Sequence, residues 1–270
     1  MYEHILIDKK DRIAHLRINR PKQMNSINPH VMREASDALK DAEGDDGISV
    51  IVLSGVGQNF GAGYDLKFDW GKHLGGRGPM QMRSMLRACV DFELTPWTCE
   101  KPVIAMVRGY CLAGSCELAM MCCITFAAKG STFGEPEIRF STAPPAVVMP
   151  WIVGLKKARE LLYTGELIDA EEALRIGMIN RVFPDDTLEE ETFRYARRAA
   201  TISIEGLKTT KASINRGAEI AGLRAALDFG IETGAALDAT ETEQYRLFKE
   251  ITAKEGLTAA IRWRESQFKE

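Results

Sequence analysis

The sequence predicts an α/β protein, a mostly parallel sheet with crossover helices followed by a helical C-terminal region. Short, continuously apolar runs such as 48–53 and 102–107 read as strands buried on both faces, and they alternate with segments of helical spacing. From about Lys156 onward helical spacing dominates, with one short apolar strand candidate at 178–183. The 270 residues, 45% hydrophobic and 27% charged, suit a globular chain with a sizeable core and exclude a disordered or fibrous one. We divide it into a core over 1–200 and a helical region over 201–270. A net charge of -3 supplies no field for a polyanion, so no nucleic-acid partner is expected.

Each element has a local reason. Residues 2–8 and 12–18 alternate apolar and polar positions around the polar stretch Asp8-Lys9-Lys10-Asp11 and predict a hairpin. Helical spacing through Val31, Met32, Ala35, Ala38, Leu39 and Ala42 predicts a helix over 29–43, with Asn28 as N-cap and Pro29 at the first helical position. The strand at 48–53 follows. A Gly-rich, partly basic stretch at 71–78 precedes a predicted helix over 80–94, a strand over 102–107, a helix over 114–123 and a strand over 124–128. Such alternation is the pattern of stacked βαβ units with right-handed crossovers.

The uncharged stretch 140–155 is too short for a bilayer and is broken by Pro144, Pro145 and Pro150, so it reads as core or pocket wall, and no membrane span is expected. The opening Met1-Tyr2-Glu3-His4 lacks a basic region followed by an apolar run, which predicts no secretory signal and a cytoplasmic location. Cys89, Cys99, Cys111, Cys116, Cys122 and Cys123 crowd into apolar segments and read as reduced, buried thiols. No metal is expected, since the adjacent cysteines and four histidines show no paired-ligand spacing.

Three segments carry chemistry. Asn59-Phe60-Gly61-Ala62-Gly63-Tyr64-Asp65-Leu66 follows a strand, and its close glycines allow positive φ and inward-pointing N–H groups. A plain tight turn is the commoner reading of a lone Gly-x-Gly, and neither a dinucleotide fingerprint nor a P-loop is present. In the second segment, 107–118, small residues lead from a strand into a helix near Gly114, whose first N–H groups and dipole favour a bound oxygen carrying negative charge. Two such donors make an oxyanion hole. Glu117 suits a helix's first turn in any case, but its neighbours Cys116, Leu118, Met120 and Met121 are apolar, the setting for a raised pKa and acid–base work. The third, Thr132-Phe133-Gly134-Glu135-Pro136-Glu137-Ile138, sets two carboxylates around a proline, as surface turns also do.

Together these segments resemble the enoyl-CoA hydratases of the crotonase superfamily. The likeness runs in order from Asn19-Arg20-Pro21-Lys22 and Asn25, through the Ala-Gly-x-Asp loop at 62–65, Lys101-Pro102-Val103-Ile104-Ala105 and 114–121, to Phe133-Gly134-Glu135-Pro136-Glu137. It continues through Leu162-Tyr163-Thr164-Gly165 to Gly177-Met178-Ile179-Asn180-Arg181-Val182, spanning essentially the whole chain. The resemblance implies a crotonase-like fold of repeated ββα units with a C-terminal helical region used in trimer contacts, as a homotrimer or a dimer of trimers. It implies an acyl-CoA substrate from lipid metabolism, with coenzyme A as part of that substrate and no separate cofactor. On this sequence the two oxyanion N–H donors fall at Tyr64 and Gly114, and the two glutamates that handle water at Glu117 and Glu137. Glu137 is expected to activate the water and Glu117 to be its partner. Lys22, Ala62, Asp65 and Leu66 fall where the family contacts CoA, although Lys22 equally suits a solvated turn.

The sequence departs from the family after the second glutamate. Where a Pro-Gly-Ala-Gly-Gly type loop is usual, residues 141–151 read Ser-Thr-Ala-Pro-Pro-Ala-Val-Val-Met-Pro-Trp. Pro145, Val148, Met149 and Trp151 are therefore expected to line the acyl pocket and to favour branched, cyclic or aromatic acyl groups. The insert at 69–80 reads as a mobile lid or as a surface loop. Another crotonase-type reaction on an acyl-CoA is the alternative activity, and a non-catalytic CoA-binding oligomer is the alternative from another class.

Overall fold

The computed structural model describes residues 2–268. Its strands are β1 (Ile5–Lys10), β2 (Ile13–Ile18), β3 (Val50–Gly55), β4 (Val103–Val107), β5 (Tyr110–Leu112), β6 (Ile124–Ala128), β7 (Thr132–Gly134), β8 (Ile168–Asp169) and β9 (Arg181–Phe183). The helices of the first half are α1 (Pro29–Gly44), α2 (Trp70–Leu74), α3 (Pro79–Glu93), α4 (Thr95–Thr98) and α5 (Gly114–Met120). Those of the second half are α6 (Met149–Val153), α7 (Leu155–Thr164), α8 (Ala170–Arg175), α9 (Leu188–Ala199), α10 (Ile204–Ile220), α11 (Leu223–Asp238), α12 (Glu243–Glu255) and α13 (Leu257–Ser266).

The β1–β2 hairpin forms, but its turn lies later than the polar run suggested. Strand β1 continues to Lys10, which pairs with Ile13, and the reversal is made by Asp11 and Arg12 alone, at φ 54° and 63°. Two successive left-handed residues match the twist of the flanking strands, which the four-residue turn expected at 8–11 would not. Helix α1 starts at Pro29, and the Asn28 side chain accepts hydrogen bonds from the His30 and Val31 N–H groups, each at 3.0 Å.

Strands β2, β3, β4, β6 and β9 run parallel in a six-stranded sheet whose far edge is the antiparallel β1. Alternate residues feed opposite faces: Ile51, Leu53, Val103 and Ala105 join the main core, while Val50, Val52, Ile104 and Met106 pack with Leu188 and Ala196 of α9. This burial on both sides explains why β3 and β4 read as unbroken apolar runs. A second sheet, β5–β7–β8, receives the strands that follow β4 and β6, so the turns of chain that begin with β4 and β6 each lay one strand in each sheet.

Two elements are shorter than their periodicity suggested. Helix α5 ends at Met120 because the Cys123 N–H donates to the Val103 carbonyl (2.8 Å) and the Thr125 hydroxyl to that of Ala119 (3.0 Å), turning the chain into β6. The apolar run at 178–183 yields only the three residues of β9. Met178 and Ile179 are buried in the main core, and the Asn180 side chain accepts from the Thr125 N–H (2.8 Å). All six cysteines are unpaired, and Cys123 is exposed rather than buried, since it sits on the turn just described. Among the described residues no helix is long and apolar enough to cross a membrane.

Helix α11 packs along α3 and contributes Leu223, Leu227, Ile231 and Ala235 to the main core. The 69–80 insert forms α2 and the turn into α3; Trp70 packs edge-on against Tyr64 and Phe68, and Asp69, Trp70, Gly71 and Arg77 form part of a cavity wall.

Candidate active site

A cavity of about 1100 Å³ opens where the loop after β3, the start of α5, the segment after β7 and the C-terminal helices converge. The loop after β3 is fastened from behind. Asn25, fully buried with φ 53°, donates from Nδ2 to the Val56 carbonyl (3.0 Å) and the Asn59 carbonyl (2.6 Å), while its Oδ1 accepts from the Arg20 N–H (3.0 Å). Arg20 also holds Asp65 in a largely buried ion pair at 2.9 Å.

Close approach explains two glycines in this loop. A Cβ on Gly61 would lie 2.3 Å from Ser115 Oγ, and one on Gly63, at φ +83°, would lie 2.5 Å from the Ala113 Cβ and 3.4 Å from the Gly114 nitrogen. The loop and the start of α5 are thus in backbone contact, pinned by the Gly63 N–H donating to Ser115 Oγ at 3.1 Å. Ala113 holds a left-handed φ of 53°, the strained turn that aims the chain into α5. Among the described residues the N–H groups of Tyr64 and Gly114 donate to no protein acceptor. Two neighbouring free N–H groups can hold one oxygen.

Four glutamates surround this point. Glu137, 7% exposed, lines the cavity, and neither of its carboxyl oxygens has a protein partner. Glu117 is fully buried behind it, with Oε1 accepting from the Ala146 N–H at 2.6 Å and Oε2 unpartnered. Glu93, at the end of α3, is also fully buried; its Oε1 accepts from the Tyr64 hydroxyl at 2.6 Å. Glu135 is buried with both oxygens unpartnered. Burial pushes all four upward, Glu137 to about 8, and for Glu117 the neighbouring Glu93, Glu135 and Glu137 charges add to it.

Folding therefore favours the protonated carboxyls. Because the folded pKa values lie above the unfolded ones, the stability they support is complete below about pH 4.5 and is lost as pH rises through the folded values, about 8 for Glu137. Thermal melts should show a midpoint falling from pH 5 to 8. Glu135→Gln, which deletes one of these ionisations, should make the fall shallower; an unaltered slope would mean that Glu135 is already ionised.

The sequence-derived site is brought together in part. Lys22, Ala62, Tyr64, Asp65 and Leu66 line the cavity with Glu137, and Gly114 adjoins it beneath the Tyr64 ring, since a Cβ there would lie 2.4 Å from Tyr64 Cε2. The expected acyl wall needs correction. Pro145 lines the cavity, but Val148 and Met149 are fully buried in the main core and Trp151 points outward on α6, 38% exposed. The bond from the Ala146 N–H to Glu117 draws the following residues into the core, so the unusual loop supports a carboxylate instead of walling the pocket. The wall comes instead from Met85, Leu86 and Cys89 of α3, Phe140, and C-terminal residues including Tyr245 and Ile261. Glu93 was missed as well. Its signal was present, because it continues the buried face Met82, Leu86, Cys89, Val90 of α3 at helical spacing, a carboxylate where an apolar residue belongs. Among the described residues no group of three or more His, Cys, Asp or Glu side chains is arranged to hold a metal ion.

Comparison with known proteins agrees with this architecture. Residues 8–270 match the family described as Enoyl-CoA hydratase/isomerase. The chain is 31% identical to a crotonyl-CoA hydratase of Syntrophomonas wolfei, over 99% of this chain and 98% of that protein. It is 32% identical to the mitochondrial enoyl-CoA hydratase of Pongo abelii, over 100% of this chain and 89% of that protein. Its backbone superposes on the crystal structure of an enoyl-CoA hydratase/isomerase from Xanthobacter autotrophicus Py2 with a TM-score of 0.96, at 36% identity and with both chains fully covered. With a family match across nearly its whole length and a crotonase-like backbone, this chain belongs to the enoyl-CoA hydratase/isomerase family of the crotonase superfamily.

Proposed function

We propose that this protein is an enoyl-CoA hydratase, adding water across the 2,3 double bond of an acyl-CoA thioester. The observation that carries the reading is Glu137, unpartnered at the wall of the cavity that Tyr64 also lines, with the N–H groups of Tyr64 and Gly114 free. In this reading the thioester oxygen sits between those two N–H groups, which stabilise the enolate formed as oxygen adds at C3. Glu137, in the ionised form that it gains as pH rises through about 8, takes one proton from the water, whose oxygen bonds to C3. Protonated Glu117 supplies a proton to C2, and the proton left on Glu137 restores Glu117 before the next turnover. Coenzyme A enters as part of the substrate and no other cofactor takes part. Lys22, Ala62 and Leu66 are placed at the cavity to meet the CoA portion, while Asp65 acts through its ion pair with Arg20, which holds the loop.

Double-bond isomerisation is the second reading, and one observation favours it. Glu137 lines the cavity and Glu117 does not, and a single carboxylate suffices to move a proton between two carbons. Product analysis separates the two: hydration of crotonyl-CoA removes the absorbance of the conjugated thioester, whereas isomerisation of a 3-enoyl-CoA creates it. We also propose a homotrimer, or a dimer of trimers, built through the C-terminal helices. Ile214, Ile220 and Phe229 of α10 and α11 are 67%, 74% and 70% exposed in the single chain, apolar surface of the kind that subunit contacts cover.

The cavity is wide, and its wall of Met85, Leu86, Phe140 and Pro145 is apolar. Larger enoyl groups, branched or cyclic, should therefore show a higher kcat/KM than crotonyl-CoA, each buried methylene adding about 1 kcal/mol or more. Competition assays across a series of enoyl-CoAs test this, and a wide preference for crotonyl-CoA would reject it.

A further inference from the structure

The buried carboxylate Glu93 has no part in the mechanism above, yet it joins the oxyanion loop to Glu117. Its Oε1 accepts from the Tyr64 hydroxyl at 2.6 Å, and the same oxygen would lie 2.9 Å from a Cβ on Gly114, so the group sits directly behind the paired N–H donors. Its other oxygen, Oε2, has no partner, and neither has Oε2 of Glu117, and the two buried side chains come from α3 and α5 where those helices pack together, close enough for each to bear on the other's protonation. Both residues are fully buried, and among the described residues no cation contacts either. Two ionised carboxylates can only accept. One proton held between them satisfies both orphaned oxygens at once, as in a carboxylate pair that shares a site.

We propose that Glu93 is a positioning residue for Glu117, anchored by the Tyr64 hydroxyl and sharing with Glu117 the proton that the reaction delivers to the substrate. Glu117 is then gripped at both oxygens, by the Ala146 N–H on one side and by Glu93 on the other. When Glu117 releases its proton to C2, the negative charge left behind is shared with Glu93 and stabilised by the Tyr64 O–H. The proton returning from Glu137 resets the pair, so no proton is created or lost over a cycle. This inference rests on the hydratase reading for its catalytic consequence, though not for the pairing itself.

The groups facing Glu93 set the sign of its effect. They are Tyr64 from the loop after β3, Cys89 on α3 itself, Glu117 from α5, Glu135 and Glu137 from the segment after β7, and Asp238 of α11, which faces Cys89. Apart from the Tyr64 donor these are neutral or negative, so burial and repulsion both keep a proton on the pair. Replacing Glu93 by the neutral, isosteric glutamine removes one negative neighbour and gives Glu117 an N–H donor. Glu117 then ionises more readily. Removing the Tyr64 hydroxyl does the opposite, because it deletes a donor to the ionised form.

The test is the pH profile of kcat/KM, whose alkaline limb reports loss of the shared proton. Glu93→Gln should move that limb to lower pH by about one unit or more, and Tyr64→Phe should move it to higher pH. A residue that merely fills the core would lower the melting temperature and leave both limbs where they were, and that result overturns the proposal. If Glu93→Gln fails to fold, the Tyr64→Phe profile decides alone. The carboxyl C=O stretch of the substrate-free protein, followed by infrared spectroscopy through a pH titration, reads the same displacement without any substrate. Absence of hydration in the wild type would therefore reject the hydratase reading, while the infrared titration would still support or overturn the Glu93–Glu117 pair.

Discussion

Glu137→Gln should lower turnover by about 10²-fold or more while changing CoA affinity little, and Glu117→Gln should do the same. The expectation for Glu137 follows from its place: both oxygens are free, and it is the one of the four buried glutamates that lines the cavity. A glutamine keeps the shape and hydrogen-bonding capacity but cannot take a proton from water. For Glu117 the argument differs. Its Oε1 receives the Ala146 N–H, so a glutamine that presents its amide oxygen there keeps the loop in place and removes only the exchangeable proton. Steady-state kinetics on an enoyl-CoA, with CoA binding measured separately, check both. Wild-type turnover in either variant would remove that residue from the chemistry, and loss at Glu137 alone would favour the isomerase reading.

Gly114→Pro should abolish measurable turnover, and comparison with Gly114→Ala shows why. Proline is tolerated at the first position of a helix, where Gly114 stands, so α5 itself need not break. A Cβ at this position would meet the Tyr64 ring at 2.4 Å and Glu93 Oε1 at 2.9 Å, and both substitutions impose that crowding. Only proline also deletes the N–H. The alanine variant therefore measures the displaced Tyr64 ring, and the further loss in the proline variant measures the donor, about 10²- to 10³-fold for one such group. Equal activity in the two folded variants, checked by circular dichroism, would place the oxyanion donors elsewhere.

The elements read correctly from the sequence are those whose causes are local. The N-cap Asn28, the proline after it and six apolar positions of α1 lie within one stretch of chain, and they set that helix almost residue for residue. Strands β3 and β4 betrayed their burial on both faces by lacking polar alternation. The small residues around Gly63 and Gly114 likewise signalled a close backbone approach, and the two segments do meet, although 51 residues of sequence separate them. Where elements end was less legible, because non-local partners stop them: the Val103 carbonyl ends α5, and the Asn180 side chain precedes a short β9.

The sequence by itself determined the α/β alternation and the helical C-terminal region, and its family resemblance singled out Glu117 and Glu137 as candidates. Only the tertiary structure decided which residues face the cavity. Val148 and Met149 are as apolar as a pocket wall requires, but the Ala146–Glu117 hydrogen bond turns them into the core and leaves the wall to α3 and the C-terminal helices. The helical spacing of α3 marks Glu93 as a carboxylate on a buried face but does not say what it meets; its proximity to Glu117 exists because α3 packs against α5. The physical reason is the same in both cases. Propensity, capping and periodicity act over a few residues, whereas the direction of a side chain and the charge beside it depend on which distant segment supplies the remaining contacts.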